Sequence, residues 1–144
     1  MSERIAVIGM GQMGSAMARR LSEAQYDVTG HDIAEAVRQN LSGQGVKMAD
    51  GLAAALAGRT TILTSLPDPA AVRESWLGEG GIAALADPGS LIIDLSTIDP
   101  DTMKTVAEAA TANGHAVLDC PVSGSPNEAG TGNLVLLVGG EDDA

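Results

Sequence analysis

The stretch RIAVIGMGQMGSAMARRL, residues 4–21, decides the fold of this chain. Its apolar start, Ile5 to Ile8, leads directly into glycines spaced as G-x-G-x-x-G, and a run of small residues typical of a helix follows. The three glycines are Gly9, Gly11 and Gly14. A strand, a glycine-rich turn and a helix in this order are typical of the first βα unit of a dinucleotide-binding sheet.

Each glycine of this pattern has its own expected role. Gly9 permits the tight turn, Gly11 lets a pyrophosphate approach the backbone, and Gly14 lets the helix and strand pack closely. The start of the helix offers unpaired N–H groups and a partial positive charge to the phosphates. The residues expected to form this phosphate-binding turn are Gly9, Met10, Gly11, Gln12, Met13 and Gly14.

An acidic residue follows at a spacing that suits ribose binding. The segment YDVTGH, residues 26–31, is predicted as a second strand, and Asp32 follows it, close to the ~20 residues expected after the glycines. A carboxylate there accepts hydrogen bonds from both ribose hydroxyls and repels a 2′-phosphate. Because the next arginine is Arg38, in the predicted second helix, NAD is favoured over NADP. The alternative is that Asp32 only caps the helix that starts near Ala34.

Composition places the chain among single globular domains. It has 144 residues, 44% hydrophobic and 1% aromatic, so the core must consist of Ala, Val, Leu, Ile and Met. One cysteine excludes an internal disulfide and suits a reducing cytoplasm. No apolar run approaches the ~20 residues of a membrane span, and the start MSERIAVIG leaves no room for a signal peptide. The net charge of −11 argues against nucleic acid or anionic membranes as partners.

Strand and helix patterns alternate along the chain. Helices are predicted at 13–24, 34–41, after a capping Asp50, from Pro69 to Trp76, within 81–89, and after Asp99 and Pro100 as far as Asn113. Further strands are predicted at 60–67, 90–97, 115–121 and 134–140, with a loop at 122–132. This alternation predicts one α/β domain over residues 1–144, with a doubly wound, mostly parallel sheet and helices on both faces.

Ligands of such sheets bind at the carboxyl ends of the strands. At those ends, Leu66 and Pro67 could flank a cofactor with apolar surface, and Thr97 could donate its hydroxyl to a ribose or to the nicotinamide end. Ser123 and Gly124 could offer a hydroxyl and backbone N–H groups to a substrate carboxylate. The alternative for the segments at 66–67 and 96–97 is ordinary turn and capping chemistry.

Four segments of the chain carry a family resemblance: GMGQMGSAMARRL at 9–21, SLP at 65–67, IDLSTIDP at 93–100 and DCPVSGSPNEAGTGNLVLLVGG at 119–140. Together they resemble the β-hydroxyacid dehydrogenases, the family of 3-hydroxyisobutyrate dehydrogenase and tartronate semialdehyde reductase. The resemblance implies cofactor contacts at Leu66, Pro67 and Thr97, and a substrate-carboxylate loop at Ser123, Gly124 and Ser125. Cys120 and Ser125 stand where the family more commonly has Ala and Gly.

The resemblance also implies an all-helical second domain that brings the catalytic lysine and supports a homo-oligomer in the full-length enzyme. Neither Lys47 nor Lys104 matches the catalytic motif, so no catalytic residue and little turnover are expected in residues 1–144. The expected function is the cofactor half of an NAD-dependent oxidoreductase that interconverts a small 3-hydroxy acid and its semialdehyde. An imine-reductase-type NAD(P)H oxidoreductase and a non-catalytic NAD(H)-binding module remain alternatives.

Other polar residues are given structural roles. His31 and His115 lie far apart in sequence, and no metal site is expected. Cys120 is interpreted as a small buried side chain. Asp94 and Asp119, at the ends of two predicted strands, are interpreted as groups that fix loops, with an acid–base pair as the alternative.

Overall fold

A seven-stranded sheet lies at the centre of the structure, a computed structural model that describes residues 2–144. In spatial order its strands are β3 (Lys47–Met48), β2 (Asp27–His31), β1 (Arg4–Ile8), β4 (Thr61–Thr64), β5 (Leu91–Asp94), β6 (Ala116–Asp119) and β9 (Gly139–Gly140). All neighbours run parallel except β9, which is antiparallel to β6. The predicted mostly parallel α/β sheet is confirmed.

Helices cover both faces of this sheet, as the sequence predicts. They are α1 (Gln12–Glu23), α2 (Glu35–Leu41), α3 (Leu52–Leu56), α4 (Pro69–Leu77), α5 (Ile82–Leu85), α6 (Pro100–Ala112) and α7 (Pro126–Thr131). Because successive side chains of a strand point to opposite faces, β1 contributes side chains to the hydrophobic cores on both faces of the sheet. Ile5 and Val7 pack with Ala18 of α1, whereas Ala6 and Ile8 pack in the core that α3 to α6 cover.

The strand order reverses at β1, and this reversal positions the functional site. Strand β1 pairs with β2 on one side and with β4 on the other, in parallel on both sides. The connections that leave its two neighbours run in opposite directions, so a crevice opens above the carboxyl end of β1. The glycines that follow Ile8 lie in this crevice.

The region after β6 differs from the prediction. The predicted loop at 122–132 contains β7 (Val122–Ser123) and α7, and the predicted strand at 134–140 is divided into β8 (Val135–Leu136) and β9. Strands β7 and β8 form a separate antiparallel pair. Helix α7 forms because Ser125 and Glu128 make a reciprocal capping box, with Pro126 in the first turn.

Smaller differences concern caps and strand ends. Asp50 does not cap α3, whose N-cap is Gly51, without a side-chain cap bond. Asp99 does cap α6, because its carboxylate accepts the Thr102 N–H at 2.8 Å. Strands β4 and β5 each end about three residues before the prediction, at Thr64 and Asp94. A short strand, β3, lies in a segment for which none was predicted.

An apolar strip, residues 135–138, lies on the surface near the β7–β8 pair. Val135, Leu136, Leu137 and Val138 are each 54–62% exposed. Adjacent side chains of an extended segment face opposite directions, so this strip presents apolar surface on two sides. Within residues 2–144, no helix has both the length and the apolar character needed to cross a bilayer.

Candidate cofactor and substrate site

A cleft of about 720 Å³ opens at the carboxyl ends of β1, β2 and β4. It brings together residues that the sequence singled out from three separate segments. These residues are Gly9, Gly11, Gln12, Met13, Gly14, Asp32, Leu66 and Pro67. Met10, Thr97, Ser123, Gly124 and Ser125 are not among the residues that line it.

The turn at the floor of the cleft requires glycine at two positions. Gly9 has a φ of +91°, and a Cβ there would lie 2.1 Å from the Ser65 carbonyl oxygen. A Cβ on Gly14 would lie 1.8 Å from the Gly9 carbonyl oxygen. Neither position can accept a side chain, because in both cases the neighbour is backbone. The first and third glycines therefore shape the turn itself.

Gly11 differs from the other two glycines because a Cβ on it would meet no atom within 4 Å. It is the N-cap of α1 and adopts extended backbone geometry, with φ −66° and ψ −162°. As glycine, it offers no side chain to the N–H groups of the first turn of α1, where Gln12 and Met13 line the cleft. A helix N-terminus with open space beside it is a setting in which anions bind.

The side chain of Met10 points away from the cleft. It is 2% exposed, and its sulfur and methyl group lie so close to Gly30 that a Cβ there would be 2.7–2.8 Å away. Its backbone N–H donates to Oδ2 of Asp32 at 2.9 Å. Met10 thus contributes to the turn through its backbone, and Gly30 leaves the room for its side chain.

Asp32 is oriented by two backbone N–H groups. Oδ2 accepts the Met10 N–H and Oδ1 accepts the Ala34 N–H, each at 2.9 Å. The N-cap of α2 is Ala34 rather than Asp32, so Asp32 is not the N-cap residue of that helix. Each carboxylate oxygen retains further acceptor capacity, and the residue lines the cleft. The carboxylate is therefore oriented and able to accept ribose hydroxyls.

Arg38 reaches back from α2 to the same loop. Its Nη1 donates to the carbonyl oxygens of Asp32 at 2.7 Å and Ile33 at 3.1 Å. The arginine is not one of the cleft-lining residues. Its guanidinium therefore holds the backbone of the loop after β2, a contact that spacing alone could not reveal.

The Leu66–Pro67 wall of the cleft is connected to the interior of the sheet. The Leu66 N–H donates to Oγ of Ser96 at 2.9 Å, and Ser96 in turn donates to Oδ1 of Asp94 at 2.8 Å. Thr64 donates to the same Oδ1 at 2.6 Å. Asp94 is fully buried, and burial raises the pKa of its carboxyl despite these hydrogen bonds.

The expected substrate loop lies outside the cleft and is exposed. Gly124 has a φ of +141°, and a Cβ there would lie 2.8 Å from Leu134 and 3.0 Å from a carboxylate oxygen of Glu128. The Ser125 hydroxyl accepts the Glu128 N–H, while the Ser125 N–H donates to the Glu128 carboxylate. That backbone hydrogen bond lowers the pKa of Glu128. The hydroxyl and the N–H of Ser125, the two groups that a substrate carboxylate would contact, are therefore already engaged in the capping box.

The same helix supports the glycine turn and the substrate loop. Ala16 and Met17 of α1 are buried in one cluster with Ala129 of α7, and Met13 packs against that cluster. Cys120 is buried in it too, and burial raises the pKa of its thiol, with the charge of Asp119 adding to the effect. A raised thiol pKa opposes nucleophilic reactivity.

Among residues 2–144, no group of three potential metal ligands comes together.

Sequence reasoning missed much of the wall opposite the glycine turn. His31, Ile33 and Leu52 line the cleft, as do Ala71, Glu74 and Ser75 of α4 and the segment 79–81. Nδ1 of His31 lies 2.9 Å from the Ala49 carbonyl oxygen, so this nitrogen carries the proton. The strand order could have predicted this wall. Helix α4 follows β4, which neighbours β1, so α4 had to begin beside the crevice.

The chain is similar in sequence to known proteins over nearly its whole length. The profile of the family described as the NAD binding domain of 6-phosphogluconate dehydrogenase matches residues 4–144. The chain is 36% identical over 141 residues to a probable mitochondrial 3-hydroxyisobutyrate dehydrogenase of Dictyostelium discoideum, covering 98% of this chain and 44% of that protein. It is 34% identical over 142 residues to an NAD-dependent L-serine dehydrogenase of Pseudomonas aeruginosa, covering 99% and 48%.

Solved structures give the same result. The Mycobacterium tuberculosis 3-hydroxyisobutyrate dehydrogenase with L-serine superimposes with a TM-score of 0.91 at 32% identity, covering 99% of this chain and 48% of that one. Psf3 in complex with NADP⁺ and 2-OPP has a TM-score of 0.90 at 29% identity, covering 96% and 49%. The chain spans about half the length of the curated relatives it matches.

The fold, the cleft and the family match define a dinucleotide-binding domain. Within that class, the chain belongs to the family of the 6-phosphogluconate dehydrogenase NAD binding domain, in its β-hydroxyacid dehydrogenase branch.

Proposed function

We propose that this domain binds NAD(H) in the cleft and serves an oxidoreductase that interconverts a small 3-hydroxy acid and its semialdehyde. One observation carries the proposal: the open backbone at Gly11 and the oriented carboxylate of Asp32 face the same cleft. A dinucleotide needs these two features side by side, one for its diphosphate and one for its adenosine ribose.

The strand order sets the direction in which the cofactor lies. The glycine turn follows β1 and takes the diphosphate on the N–H groups of Gln12 and Met13. Asp32 follows β2 on one side and takes the adenosine ribose, so the nicotinamide half extends toward β4 and β5 on the other side. There Leu66, Pro67 and Thr97 are its proposed contacts. When bound, the nicotinamide supplies the hydride acceptor or donor.

The charge of the cleft supports NAD over NADP. Three carboxylates line it, at Asp32, Glu74 and Glu79, and the residues described as lining it include no lysine or arginine. The closest-lying arginine in sequence, Arg38, donates Nη1 to two backbone carbonyls. A 2′-phosphate would therefore meet repulsion without a compensating cation. NAD is the proposed cofactor.

The substrate proposal rests on the loop after β6. Gly124 is held in a glycine-only conformation, and Ser123 beside it is exposed, so a hydroxyl and backbone N–H groups are available to a carboxylate. Two proteins similar to this chain are named for 3-hydroxyisobutyrate and L-serine, which share a carboxylate and a hydroxyl on the third carbon. A small 3-hydroxy acid is thus the proposed substrate class. Ser125 acts through its cap on α7.

We also propose that residues 1–144 alone turn over little substrate. Reduction of a carbonyl needs a group that gives a proton to its oxygen as hydride arrives. Lys104 is exposed on α6 beside Glu108, at 4.0 Å, and Lys47 is exposed on β3, so neither lines the cleft. A catalytic lysine elsewhere in a full-length enzyme, a homo-oligomer of that enzyme and a cytoplasmic location all remain predictions.

The proposal is tested by titrating the chain with NADH and with NADPH, using nicotinamide fluorescence. Gly11→Ala is the most informative variant, because its methyl group enters open space where the diphosphate is proposed to lie. We expect unchanged folding and a loss of NADH affinity of about tenfold or more, because the methyl group occupies the phosphate position.

Gly130→Ala is the matched control. It lies in α7, and a Cβ there also meets no atom within 4 Å, but it does not line the cleft. We expect wild-type NADH affinity and a gain in stability of about 0.5–1 kcal/mol. Absence of NADH binding by the wild-type chain, or equal affinity in the Gly11 and Gly130 variants, would contradict the proposal.

A further inference from the structure

A chain of hydrogen bonds connects the buried end of β5 with the wall of the cleft. It runs from the Leu66 N–H to the Ser96 hydroxyl and on to Oδ1 of Asp94, over distances of 2.9 and 2.8 Å. The Ser96 hydroxyl links the two groups, because it accepts a hydrogen bond from Leu66 and donates its own to Asp94. Ser96 is 4% exposed, so water does not compete for it freely.

The segment that this chain fixes carries three proposed cofactor contacts. The Leu66 N–H donates to the Ser96 hydroxyl, Pro67 follows Leu66 in the backbone, and Thr97 follows Ser96. Leu66 also packs onto the glycine turn, since its Cδ2 would lie 3.0 Å from a Cβ at Gly9. The backbone position of Leu66 is therefore set by a side chain of the neighbouring strand connection, in addition to its own turn.

We propose that Asp94 is a positioning residue for the cofactor: through Ser96 it holds the Leu66–Pro67 wall and Thr97 in place at the nicotinamide side of the cleft. The inference rests on the proposed binding of NAD(H). Asp94 itself does not line the cleft, and it acts only through Ser96.

One oxygen of Asp94 performs this role. Oδ1 accepts both hydroxyls, from Thr64 at 2.6 Å and from Ser96 at 2.8 Å, whereas the buried Oδ2 has no hydrogen-bond partner within the described residues. A neutral carbonyl oxygen also has two lone pairs and can accept both hydroxyls. The role therefore requires an acceptor at Oδ1 and does not require a negative charge. Burial, which raises the pKa of Asp94, favours the neutral form.

The two hydroxyls on Oδ1 provide a matched pair of variants. Ser96→Ala and Thr64→Val each remove one buried hydroxyl from the same carboxyl oxygen, and both should lower stability. Only Ser96 also accepts the Leu66 N–H. A merely structural role would affect the two variants alike, whereas a positioning role separates them.

The experiment measures the affinities of the wild type and the variants for NADH and for ADP, which lacks the nicotinamide half. For Ser96→Ala we expect NADH affinity to fall about fivefold, the usual effect of one hydrogen bond, and ADP affinity to change less than about twofold. For Thr64→Val we expect both affinities to stay within about twofold of wild type. For Asp94→Ala we expect NADH affinity to fall about fivefold, because the Ser96 hydroxyl loses its acceptor, and Asp94→Asn should restore it, because the amide oxygen accepts both hydroxyls.

Amide hydrogen exchange of Leu66 gives a second measurement that needs no ligand. Its N–H should exchange faster in Ser96→Ala than in Thr64→Val when both are compared at equal global stability. If the wild type binds no NADH while this difference persists, the proposed function fails and the positioning of Leu66 stands. Equal NADH losses in the two variants, an unchanged NADH affinity in Ser96→Ala, or equal Leu66 exchange would overturn the inference.

Discussion

The carboxylate of Asp32 accepts the backbone N–H of Met10 at 2.9 Å, so the acid after β2 also fastens the glycine-rich turn after β1. Its other oxygen accepts the Ala34 N–H at the same distance. Asp32, which is proposed to bind ribose, therefore also connects the end of β2 with the turn after β1 by a hydrogen bond. Substitution of Asp32 acts both on the contact with the cofactor and on the shape of the turn.

Asp32→Ala should weaken NADH binding about tenfold to a hundredfold, because the two hydrogen bonds proposed between its carboxylate and the ribose are lost and the turn is loosened. NADPH binding should weaken less, since repulsion of the 2′-phosphate disappears. Fluorescence titration with both cofactors measures the change. Asp50→Ala, at an exposed position before α3, is the control and should leave both affinities unchanged. Stronger binding of NADPH than of NADH by the wild type would contradict this assignment.

Arg38→Met should lower the free energy of unfolding by about 1 kcal/mol, because the donor to the Asp32 and Ile33 carbonyls is lost. We also expect NADH affinity to fall about threefold, as the loop after β2 becomes less ordered. Urea unfolding and NADH titration give the two values. Arg19→Met removes an arginine of α1 and controls for the change in net charge. A larger loss of NADPH affinity than of NADH affinity in Arg38→Met would indicate that Arg38 binds the 2′-phosphate and would contradict the role described here.

Acid stability depends on Asp27. Its Oδ2 lies 2.8 Å from Nη1 of the buried Arg59 and 3.3 Å from Nε of Arg4. The hydrogen bond from Arg59, above all, holds the pKa of Asp27 below its ordinary value of 3.8. A carboxyl with a depressed pKa in the folded state contributes stability above the unfolded value and loses it as the pH falls through the folded value.

Asp27→Asn should therefore destabilise the protein at pH 7, and its difference from wild type should shrink as the pH falls below 3.8. Urea unfolding between pH 7 and about pH 3 measures this trend. Asp50→Asn is the control for the exchange of a carboxylate for an amide. A difference between wild type and Asp27→Asn that stays constant over this pH range would count against the ion pair as the cause.

Ser125→Ala should lower the free energy of unfolding by about 1 kcal/mol, because α7 loses its capping box. NADH affinity should remain unchanged, since Ser125 lies outside the cleft. Ser123→Ala, in the same loop, should leave stability near wild type, and unfolding of the two variants side by side gives the comparison. Equal losses of stability at the two positions would show that the cap contributes little.

Local sequence patterns predicted the fold and the floor of the cleft. The turn at Gly9 and the N-cap at Asp99 each depend on residues near in sequence, and the structure has both. Asp32 lines the same cleft as Gly9, and its ribose contact stays a prediction. Helix α7 was also predictable in principle, because Ser125 and Glu128 have the S-x-x-E spacing of a capping box. The glycine and proline around them favoured a loop instead.

The rest of the site depends on contacts that no local pattern encodes. Arg38 could have pointed to solvent from α2, and only the folded loop shows that it reaches the Asp32 carbonyl. The bond from the Leu66 N–H to Ser96 joins residues 30 positions apart, at the ends of neighbouring strands. Such partners are set by strand order and register, which sequence periodicity predicts only in outline.

The apolar strip has a practical consequence for anyone who handles this polypeptide by itself. Within the described residues, β8 pairs with β7 along one edge only, so the other edge of this exposed valine and leucine segment is a template onto which another extended chain can add. At high concentration, the 144-residue protein should self-associate through residues 135–138 under conditions in which it is still folded. The Leu137→Lys variant should stay monodisperse in light scattering. The cleft should be unaffected by this substitution, because Leu137 does not line it.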